Sequence, residues 1–522
     1  MDAINLSIFA NRIDAICGEM GVTLQKSAFS PNIRDRLDYS CAIFDADGEL
    51  CAQAAHIPVH LGSMAFAMRD VVSLFDWSAG DMMVLNDPYK GGTHLPDVTL
   101  IAPMFINNDL IGFVANRAHH ADIGSETPGS MPLSSDLSDE GLIIEPALLV
   151  RGGEVEESFF DELMAHMRNP KESAGDFIAQ IASNRRGLMR LEALITKIGV
   201  DDYLQSLQYL NNYAAALAKN SLLDIADGEY VFSDVLDDDG QGNNDIVIKA
   251  KIIFDEGTIT VDFSDSNHQV DGNINCPLSV TAAAVYYVFR CLMPAQTPAC
   301  SGSFSHIKLL APEGSVVNAC FPAAVAAGNV ETSTRIVDVM LGALAKALPE
   351  KIPAASHGSM NNLAMGYAGG EVGNEKGPAW DYYETIGGGM GASMISNGLD
   401  AVQTHMTNTL NTPVESLEMK YPLRILRYQL RKNSAGEGKY KGGEGLLREY
   451  EFLAPAQATL LTERRRHQPW GLAGGRAGAA ACNYLNESEL PGKCSLQINP
   501  GDTLLIATAG GGGYQSSDKT EQ

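Results

Sequence analysis

Two short segments of the sequence concentrate side chains that bind divalent cations. NDPYKGGTHLPDVTL contains His94 and Asp97, and NRAHHADIG contains the adjacent residues His119 and His120. Imidazole nitrogens and carboxylate oxygens bind ions such as Zn²⁺ at about 2.0–2.2 Å, and glycine lets the backbone come close to such a site. These residue types indicate a metal site. The alternative is that the histidines end strands and make ordinary hydrogen bonds.

A β-hairpin is the element that would bring the two segments together. VTLIAPMFI and LIGFVANRAH are strand-like runs on either side of residues 107–109, Asn-Asn-Asp, and these residue types favour turns. With those three residues as the loop, Ile106 pairs with Leu110, and Asp97 lies opposite His119. The Cβ atoms of directly opposed residues are about 4.5–5.5 Å apart, so Asp97 and His119 could share one ion.

A third ligand is available beside this pair. His94 lies three residues before Asp97 at the mouth of a glycine-rich loop, from which it could fold over the ion. Three protein ligands with an open position are typical of a catalytic metal site rather than a structural one. The sequence therefore predicts His94, Asp97 and His119 as ligands of a divalent ion, which would be Zn, Mn or Fe.

Three more side chains are candidates for catalytic roles at this site. His120 and Asp122 follow His119 within three residues and could shuttle protons or orient the ligands. Side chains alternate along a strand, however, so His120 points to the other face. Asp38, in RDRLDYS before a predicted strand, is a candidate base. The alternative for Asp38 is a solvated charge cluster.

The elements that must position these residues predict a mixed α and β fold of the α+β type. MDAINLSIFANRIDAICGEM has the spacing of an amphipathic helix with Leu6, Phe9, Ile13, Ile16 and Met20 on one face. CAIFDADGELCAQ predicts a hairpin that turns at Asp-Gly, and MMVLNDP predicts a short strand. VTAAAVYYVFRCLM and STRIVDVMLGALAKAL predict buried helices.

The pattern changes along the chain in a way that predicts three parts. Residues 156–225 are helical in pattern, and the sequence from residue 226 alternates with a period of two between turn signals, as antiparallel strands do. The last ninety residues are mainly β in pattern. We expect an N-terminal lobe with the metal-site hairpin over residues 1–225, a central α+β lobe over residues 226–430, and a mainly β part over residues 431–522.

Composition excludes several classes of partner. The 522 residues carry a net charge of −27, and such a field repels phosphate backbones and anionic lipids, so we expect neither nucleic acid nor membrane as a partner. The nine cysteines contain no CxxC pair, which is typical of buried thiols in a reducing compartment. The N-terminus lacks a signal-peptide core, and no run is long and apolar enough to span a bilayer. We expect a cytoplasmic protein.

Signatures of nucleotide binding and of serine hydrolases are missing from the sequence. It contains no GxxxxGK[ST] loop, no GxGxxG that follows a strand and opens a helix, and no GxSxG elbow. The basic stretch ERRRHQPWG at residues 463–471 indicates an anionic ligand or an acidic partner surface. THMTNTLNTPVESLEMKYP, at residues 404–422, either lines a pocket or is a capped turn before a helix, and the residues alone favour the turn.

Taken together, these segments resemble the hydantoinase B/oxoprolinase family. The resemblance rests on SPNIRDRLDYSCAIFDADGEL, HIPVHLGSM, NDPYKGGTHLPDVTL, NRAHHADIG, DGNINCPLSVTAAAVYYVF, GNVETSTRIVD, THMTNTLNTPVESLEMKYP and the closing GGGGY. These stretches occur in the family's order and cover nearly the whole chain. The resemblance implies a divalent metal held by an HxxD pair and a later histidine, which are His94, Asp97 and His119 in this sequence.

The resemblance also implies a function. Members look like subunits of ATP-dependent N-methylhydantoinases, 5-oxoprolinases, caprolactamases, and acetone or acetophenone carboxylases, in which ATP and Mg are used by a hydantoinase A-type ATPase partner. We expect a metal-bearing subunit of a hetero-oligomeric hydrolase that completes the ring opening of a small cyclic amide: a hydantoin, 5-oxoproline or a lactam. Chain length favours a separate subunit and the hydrolases. The alternatives are a ketone carboxylase subunit, in which bicarbonate takes part, and a non-catalytic scaffold subunit.

Overall fold

Helices and sheets are interleaved along the computed structural model, which describes residues 2–54, 57–223, 225–372, 375–377 and 379–516. The α-helices in that part of the chain are α1 (Ala3–Ser27), α2 (Pro31–Arg34), α3 (Pro58–Val72), α4 (Glu157–Ala165), α5 (Pro170–Ile198), α6 (Val200–Leu222), α7 (Leu278–Leu292), α8 (Ser333–Ala347) and α9 (Val414–Lys420). A π-helical turn, Gly328–Thr332, leads directly into α8. No helix of the described residues is long and apolar enough to cross a membrane.

The strands of the described residues form mainly antiparallel sheets. They are β1 (Tyr39–Asp45), β2 (Leu50–Ala54), β3 (Met82–Leu85), β4 (Asp97–Ile106), β5 (Asp109–His119), β6 (Ala147–Arg151), β7 (Glu154–Val155), β8 (Gly228–Asp238), β9 (Asn244–Asp255), β10 (Thr258–Asp262), β11 (Ile307–Leu310), β12 (Asn362–Tyr367), β13 (Gly370–Val372), β14 (Glu375–Gly377), β15 (Trp380–Glu384), β16 (Leu423–Arg431), β17 (Gly445–Phe452), β18 (Ala456–Leu461), β19 (Cys482–Leu485), β20 (Ser488–Leu490), β21 (Lys493–Ile498) and β22 (Thr503–Ala507). The predicted mixed α and β class is confirmed.

The sheet that carries the metal-binding segments has the strand order β2-β1-β5-β4-β3-β6-β7 and is covered on both faces. Cys41 and Ile43 of β1 belong to one core with α1 and α5, whereas Ala42 and Phe44 belong to another with α3. This division follows from the alternation of side chains along a strand. From Phe113 to His119, beyond the bulge at Ile111, the odd-numbered residues of β5 point toward α3.

The loop of the β4–β5 hairpin is shorter than predicted. Asn107 and Asn108 have φ angles of 51° and 73°, and two consecutive positive φ angles are the mark of a two-residue type I′ turn. Ile106 therefore pairs with Asp109 and not with Leu110. The predicted three-residue loop is wrong because asparagine tolerates the left-handed conformation at both central positions.

A bulge restores the predicted register further along the hairpin. The pairing shifts between Met104 and Phe105, so that Met104 lies opposite Gly112 and one residue of β5 is skipped. From this point the predicted pairs are present, and Asp97 lies directly opposite His119. The shorter turn and the bulge each shift the pairing by one residue, in opposite directions. The predicted pairing of Asp97 with His119 is therefore confirmed.

The predicted helices are also present. α1 buries Phe9, Ile13, Ile16 and Met20, and Leu6 packs partly buried against the same core. The region predicted as helical over residues 156–225 contains α4, α5 and α6. Proline at the first position of α5 needs no hydrogen-bond acceptor there, and a glycine with a φ of 90° separates α5 from α6, a conformation that favours glycine.

The central and C-terminal strands build further sheets around α7 and α8. β8, β9 and β10 pair antiparallel, as the period-two pattern predicts, and β11 adds parallel to β10. The largely buried α7 and α8 pack in one core with this sheet. Another sheet has the order β15-β12-β18-β21, so residues on both sides of the predicted boundary between 430 and 431 share one sheet.

Candidate metal centre

Asp97 lies at the centre of a buried group of histidines. Its Oδ1 is 3.1 Å from His94 Nε2 and 3.1 Å from His119 Nδ1. Asp97 and His94 are fully buried, and His119 is 3% exposed. One ligand atom from each of these three residues lies within 4.8 Å of the other two. The structure therefore brings the predicted ligand set together, through the cross-strand pair and the loop that precedes β4.

The second carboxylate oxygen of Asp97 has a separate set of partners. Asp97 Oδ2 accepts hydrogen bonds from Thr93 Oγ1 at 2.6 Å and from Asn329 Nδ2 at 3.2 Å, and it lies 3.2 Å from His60 Nε2. His60 belongs to the first turn of α3, and Asn329 belongs to the π-helical turn before α8. These contacts hold the carboxylate so that its other oxygen faces the predicted ligands.

His60 and Asn329 are members of this group that the sequence does not predict. Both lie in stretches that carry the family resemblance, HIPVHLGSM and GNVETSTRIVD, so a signal for their importance was present. Local spacing does not connect them with Asp97, since Asn329 is 232 residues away from it in sequence. The packing of α3 and of the π-helical turn against the sheet creates both contacts.

The hydrogen bond of His94 creates a position that fits a cation. Its Nδ1 lies 3.2 Å from the carbonyl oxygen of Ala326 and must donate to it, because a carbonyl oxygen only accepts. In the neutral ring, Nε2 then carries a lone pair and faces Asp97 Oδ1 at 3.1 Å. Two acceptors at this distance repel each other unless a proton or a metal ion lies between them.

His119 adds a second ring nitrogen that could ligate an ion. Its buried Nε2 has no hydrogen-bond partner within the described structure, which is costly unless a ligand satisfies the atom. Two imidazoles and one carboxylate are a donor set suited to Zn, Mn or Fe. The residues present therefore fit a divalent ion.

The electrostatics of the group favour an anionic carboxylate. Burial would raise the pKa of Asp97, but the neighbouring His94 and His60 and the hydrogen bond with His119 hold this pKa well below its usual range. Burial lowers the pKa of His119, so that the ring favours its neutral, ligating form. Burial lowers the pKa of His94, but the attraction to Asp97, the hydrogen bonds with Asp97 and the Ala326 carbonyl, and the attraction to Glu140 together raise it above its usual value. A metal ion at this position would compete with that proton.

A small polar cavity adjoins the group. Its volume is about 20 Å³, which is room for roughly one water molecule. Tyr383 forms part of its wall and stacks on His119, with ring centroids 4.4 Å apart and an interplanar angle of 19°. The polar part of the lining includes carboxylates, histidines and hydroxyls: Asp38, His60, Asp97, His119, Thr407 and Thr409. The segment with Thr407 and Thr409 thus lines a pocket, contrary to the simple capped turn that its residues favour.

Comparison with known proteins decides the family. The Hydantoinase B/oxoprolinase family profile matches residues 2–517. The chain belongs to the hydantoinase B/oxoprolinase family. The resemblance inferred from the motifs is confirmed.

Relatives of this hydantoinase B-type chain include proteins of very different length. The chain is 38% identical to 5-oxoprolinase 1 of Arabidopsis thaliana over 551 residues, covering 99% of this chain and 42% of the relative. It is 32% identical to a putative D-/L-hydantoinase subunit of Pseudomonas sp. strain NS671, covering 98% of this chain and 90% of the relative. It thus spans less than half of the plant protein and most of the bacterial one.

The fold also matches that of an enzyme of known crystal structure. The crystal structure of the ATP-dependent caprolactamase from Pseudomonas jessenii superimposes with a TM-score of 0.90 and 26% sequence identity, covering 99% of this chain and 91% of that chain. The predicted hydantoinase B-type fold is confirmed.

In this hydantoinase B-type chain, the candidate base Asp38 lies at the cavity. Its side chain lines the cavity together with Asp97 and His119, and its Oδ2 is 3.8 Å from Arg36 Nη2. Asp38 is only 6% exposed, so the alternative of a solvated charge cluster is wrong for this residue. The start of β1 brings Asp38 to the site, since its carbonyl oxygen accepts a hydrogen bond from the backbone N–H of His119.

The structure directs the other two predicted catalytic residues away from the cavity. His120 Nε2 lies 2.9 Å from Gln180 Oε1, and the ring packs against Phe177 of α5 on the opposite face of the sheet. Asp122 accepts a hydrogen bond from the backbone N–H of Asn169, at the start of α5. Proton transfer at the centre by His120 or Asp122 is therefore a wrong prediction, because strand alternation and the turn after β5 point both side chains elsewhere.

The basic stretch at residues 463–471 is neutralised within the chain. Arg464 is fully buried and pairs with Asp234 at 2.9 Å and with Asp338. His467 Nε2 lies 2.6 Å from Asp245. These internal partners explain the cluster of positive charge without an anionic ligand or an acidic partner surface.

Proposed function

We propose that this chain is the metal-bearing part of an ATP-dependent cyclic-amide hydrolase, and that a hydantoinase A-type ATPase partner activates the amide whose ring opening this chain completes. The observation that carries the proposal is the buried group of His94, Asp97 and His119 beside a small cavity that Asp38 also lines. Relatives named as a 5-oxoprolinase and as a putative D-/L-hydantoinase subunit support it. So does the likeness to an ATP-dependent caprolactamase.

ATP is needed because an unstrained amide carbonyl is a poor electrophile. Transfer of the γ-phosphoryl group to the amide oxygen releases ADP and a proton and leaves a phosphorylated imidate, whose carbon accepts water. Addition of water and cleavage of the C–N bond give an amine and an acyl phosphate. A second water molecule then releases phosphate and the carboxylate. The net reaction consumes one ATP and two water molecules for each ring opened.

The side chains around the cavity have distinct roles in this scheme. The carboxylate of Asp38 accepts the proton of the attacking water. It lines the cavity and pairs with Arg36, whereas Asp97 pairs with the histidines. The hydroxyls of Thr407 and Thr409 line the same cavity and orient the attacking water. Burial keeps bulk water away from the activated amide.

His94, Asp97 and His119 would hold the divalent ion. Bound there, the ion supplies Lewis acidity at the wall of the cavity. Within the proposal, the neutral form of His119 and the anionic form of Asp97 are the states required for ligation.

The test is an assay of ADP and ring-opened product in the complex with a hydantoinase A-type partner, using 5-oxoproline, N-methylhydantoin and caprolactam. We expect both products only when both chains are present, and no ATP turnover by this chain alone. Acetoacetate from acetone and bicarbonate, without product from any cyclic amide, would replace the hydrolase proposal with the carboxylase alternative.

A matched pair of variants tests the role of Asp38. Asp38→Asn should abolish the ring-opened product and leave bound metal unchanged, because Asp38 is outside the ligand set. Asp35→Asn alters a carboxylate of the same segment that pairs with Arg34 at 2.9 Å, and it should leave the product rate unchanged. Equal product rates in the two variants would exclude Asp38 as the base.

A further inference from the structure

A buried glutamate lies behind the centre and holds the peptide that His94 contacts. Glu140 is fully buried. Its Oε1 accepts hydrogen bonds from the backbone N–H groups of Val325 and Ala326, both at 2.8 Å, and from Ser134 Oγ at 2.9 Å. Burial raises the pKa of Glu140 to about 7, so the carboxylate is ionised above that pH, where its hydrogen bonds are roughly twice as strong as those to a neutral acceptor. One carboxylate oxygen therefore clamps a stretch of backbone from a distant part of the chain.

The clamped backbone is the same one that orients the predicted ligand. The N–H of Ala326 is bound by Glu140, and the carbonyl oxygen of Ala326 lies 3.2 Å from His94 Nδ1. Residues 326 and 327 begin the helical segment that continues into the π-helical turn, and the N–H of Ala327, in the same peptide as the Ala326 carbonyl, donates to the carbonyl oxygen of Asn273 at 2.9 Å. Glu140 holds the neighbouring peptide through the N–H of Ala326.

We infer that Glu140 is a positioning residue of the metal centre, which acts through the carbonyl of Ala326 on His94. The carbonyl keeps the proton of the neutral ring on Nδ1 and leaves the Nε2 lone pair facing Asp97. The nitrogen of a histidine that is free to ligate is set by the hydrogen bond of the other nitrogen. The inference rests on the proposed function, because His94, which Glu140 orients, is a ligand of the ion in that proposal.

The chain contains a matched carboxylate that performs the same clamp elsewhere. Glu444 Oε2 accepts hydrogen bonds from the backbone N–H groups of Ser434 and Ala435 at 2.7 and 3.1 Å, and from Ser434 Oγ at 2.8 Å. This arrangement supports the start of β17, in a different part of the protein. Glu444→Gln therefore weakens the same set of hydrogen bonds at a partly exposed position, without touching His94, and it controls for the general effect of replacing such a carboxylate by an amide.

Cobalt binding measures the effect on the centre. Above the pKa of Glu140, Glu140→Gln replaces an ionised acceptor by a neutral amide oxygen, which holds the two N–H groups more weakly. At such a pH we expect Co²⁺ binding to weaken by about 10–100-fold, as changes to groups that hold metal ligands do, and the visible absorption of the bound ion to change. Glu444→Gln should bind Co²⁺ as the wild type does. In a His94→Ala background, Glu140→Gln should cause no additional loss, because its effect passes through His94.

The tautomer of His94 provides a readout without metal. In metal-free protein with ¹⁵N-labelled histidine, studied at a pH where the ring is neutral, the wild type should carry the His94 proton on Nδ1. Disappearance in His94→Gln assigns the signal. Glu140→Gln should shift the ring toward a mixture of tautomers, and Glu444→Gln should not.

The two experiments separate failure of this inference from failure of the proposed function. An unchanged tautomer in Glu140→Gln, together with wild-type Co²⁺ affinity and absorption, would overturn the role of Glu140 alone. Absence of Co²⁺ binding by the wild type would overturn the metal centre itself. Equal loss of affinity in the Glu140 and Glu444 variants would reduce Glu140 to a general structural contact.

Discussion

Two buried groups of charged side chains in this protein are neutralised by different means. Within the described structure, the ion pairs of Asp97 are with histidines, at 3.1 Å from His94 and His119 and at 3.2 Å from His60. The charge of an imidazole changes between about pH 5 and 8. Among the described residues, Asp97 therefore has no permanent cation within ion-pair distance, although the buried Arg117 interacts with it electrostatically.

The other group lies around Asp338 and contains permanent cations. Arg464 pairs with Asp338 and with Asp234 at 2.9 Å, and Arg335 lies 3.4 Å from Glu463. Both arginine side chains are fully buried, and a guanidinium stays charged at any physiological pH. Here the chain itself supplies the neutralising charge.

The difference separates a site for an exchangeable ion from a structural network. A buried carboxylate is stable only with a counter-charge or with hydrogen bonds. Where arginine provides that charge, the group ties distant segments together and needs no ligand. Where only histidines are available, a divalent ion can take the same position as a proton. We therefore expect changes at Asp97 to affect metal and chemistry, and changes at Arg464 to affect stability.

The largest effect is expected from Asp97→Asn, which keeps the shape of the side chain but removes its charge. Metal affinity should fall by more than about 100-fold, since changes to groups that merely hold ligands already cost about 10–100-fold. In the complex with the ATPase partner, product should disappear while part of the substrate-dependent ADP release remains. Elemental analysis and a joint assay of ADP and product measure both effects.

Asp338→Asn is the control, because it removes a buried carboxylate from the other group. Its folded fraction should retain wild-type metal content. Undiminished metal in Asp97→Asn would remove Asp97 from the centre. Loss of ADP and product in strict proportion would show that the two sites are tightly coupled and would contradict the sequential scheme.

The second effect concerns stability. Arg464→Met keeps the apolar stem but leaves Asp234 and Asp338 without their shared guanidinium, and it should destabilise the protein by roughly 3–5 kcal/mol. Urea denaturation measures the loss. Arg466→Met, which breaks a pair with Asp245 in which both side chains are about half exposed, should cost less than about 1 kcal/mol. Equal stability of the two variants would remove the structural role of the Asp338 group.

The third effect is stabilisation by the ion. At a free metal concentration of 100 times the dissociation constant, the free energy of unfolding should rise by about 2.7 kcal/mol, and a chelator should reverse the gain. Thermal unfolding with and without Zn²⁺ or Mn²⁺ measures it. The variant with His94, Asp97 and His119 all changed to alanine should gain nothing. A gain in that variant equal to the wild-type gain would place the ion elsewhere.

The smallest effect is a pH dependence at Glu331, a buried carboxyl group beside the second group. Burial, with repulsion from Glu463, raises the pKa of Glu331 to about 8 from its ordinary 4.5. The folded state therefore holds this proton more tightly than the unfolded state. The contribution of this proton to the free energy of unfolding is fully present below the pKa of the unfolded state, near 4.5. It is lost as the pH rises through about 8.

Glu331→Gln should remove this loss, because the amide oxygen can still accept from Met360 N and Asn362 Nδ2. Relative to wild type, its thermal midpoint should rise by roughly 2 °C or more between pH 5 and pH 8. Glu162→Gln, at an exposed position of α4, should show no such rise. A parallel pH profile of wild type and Glu331→Gln would show that the carboxyl is not protonated in the folded state.

The hairpin shows how far sequence reasoning reaches. The residue types of Asp97 and His119 and their distance from a recognisable turn are local information, and they predict the cross-strand pair. The turn type is less certain from local information, because Asn-Asn-Asp is compatible with loops of two or three residues. The bulge between Met104 and Phe105 has no marker in the sequence, and it alone makes the final register agree with the prediction.

Residues that reach the centre from other elements could not be placed in the same way. His60 contacts Asp97 because α3 packs on the face of the sheet to which Asp97 points. Asn329 contacts Asp97 because the π-helical turn lies beside the hairpin. Conversely, His120 is a neighbour of His119 in sequence but faces α5. Neighbours in sequence take opposite faces of a strand, so adjacency gives no information about a shared site.

The sequence by itself determined the mixed α and β class, the family, the HxxD pair with its later histidine, and the pairing of Asp97 with His119. These features depend on periodicity, turn residues and spacing within a few tens of residues. Only the tertiary structure decided that His60 and Asn329 contact Asp97, that Glu140 binds the backbone of Ala326, that Asp38 lines the cavity, and that the arginines of residues 463–471 have partners within the protein. Those contacts join segments far apart in the chain, and their formation depends on how whole elements pack, which no local pattern of residues encodes.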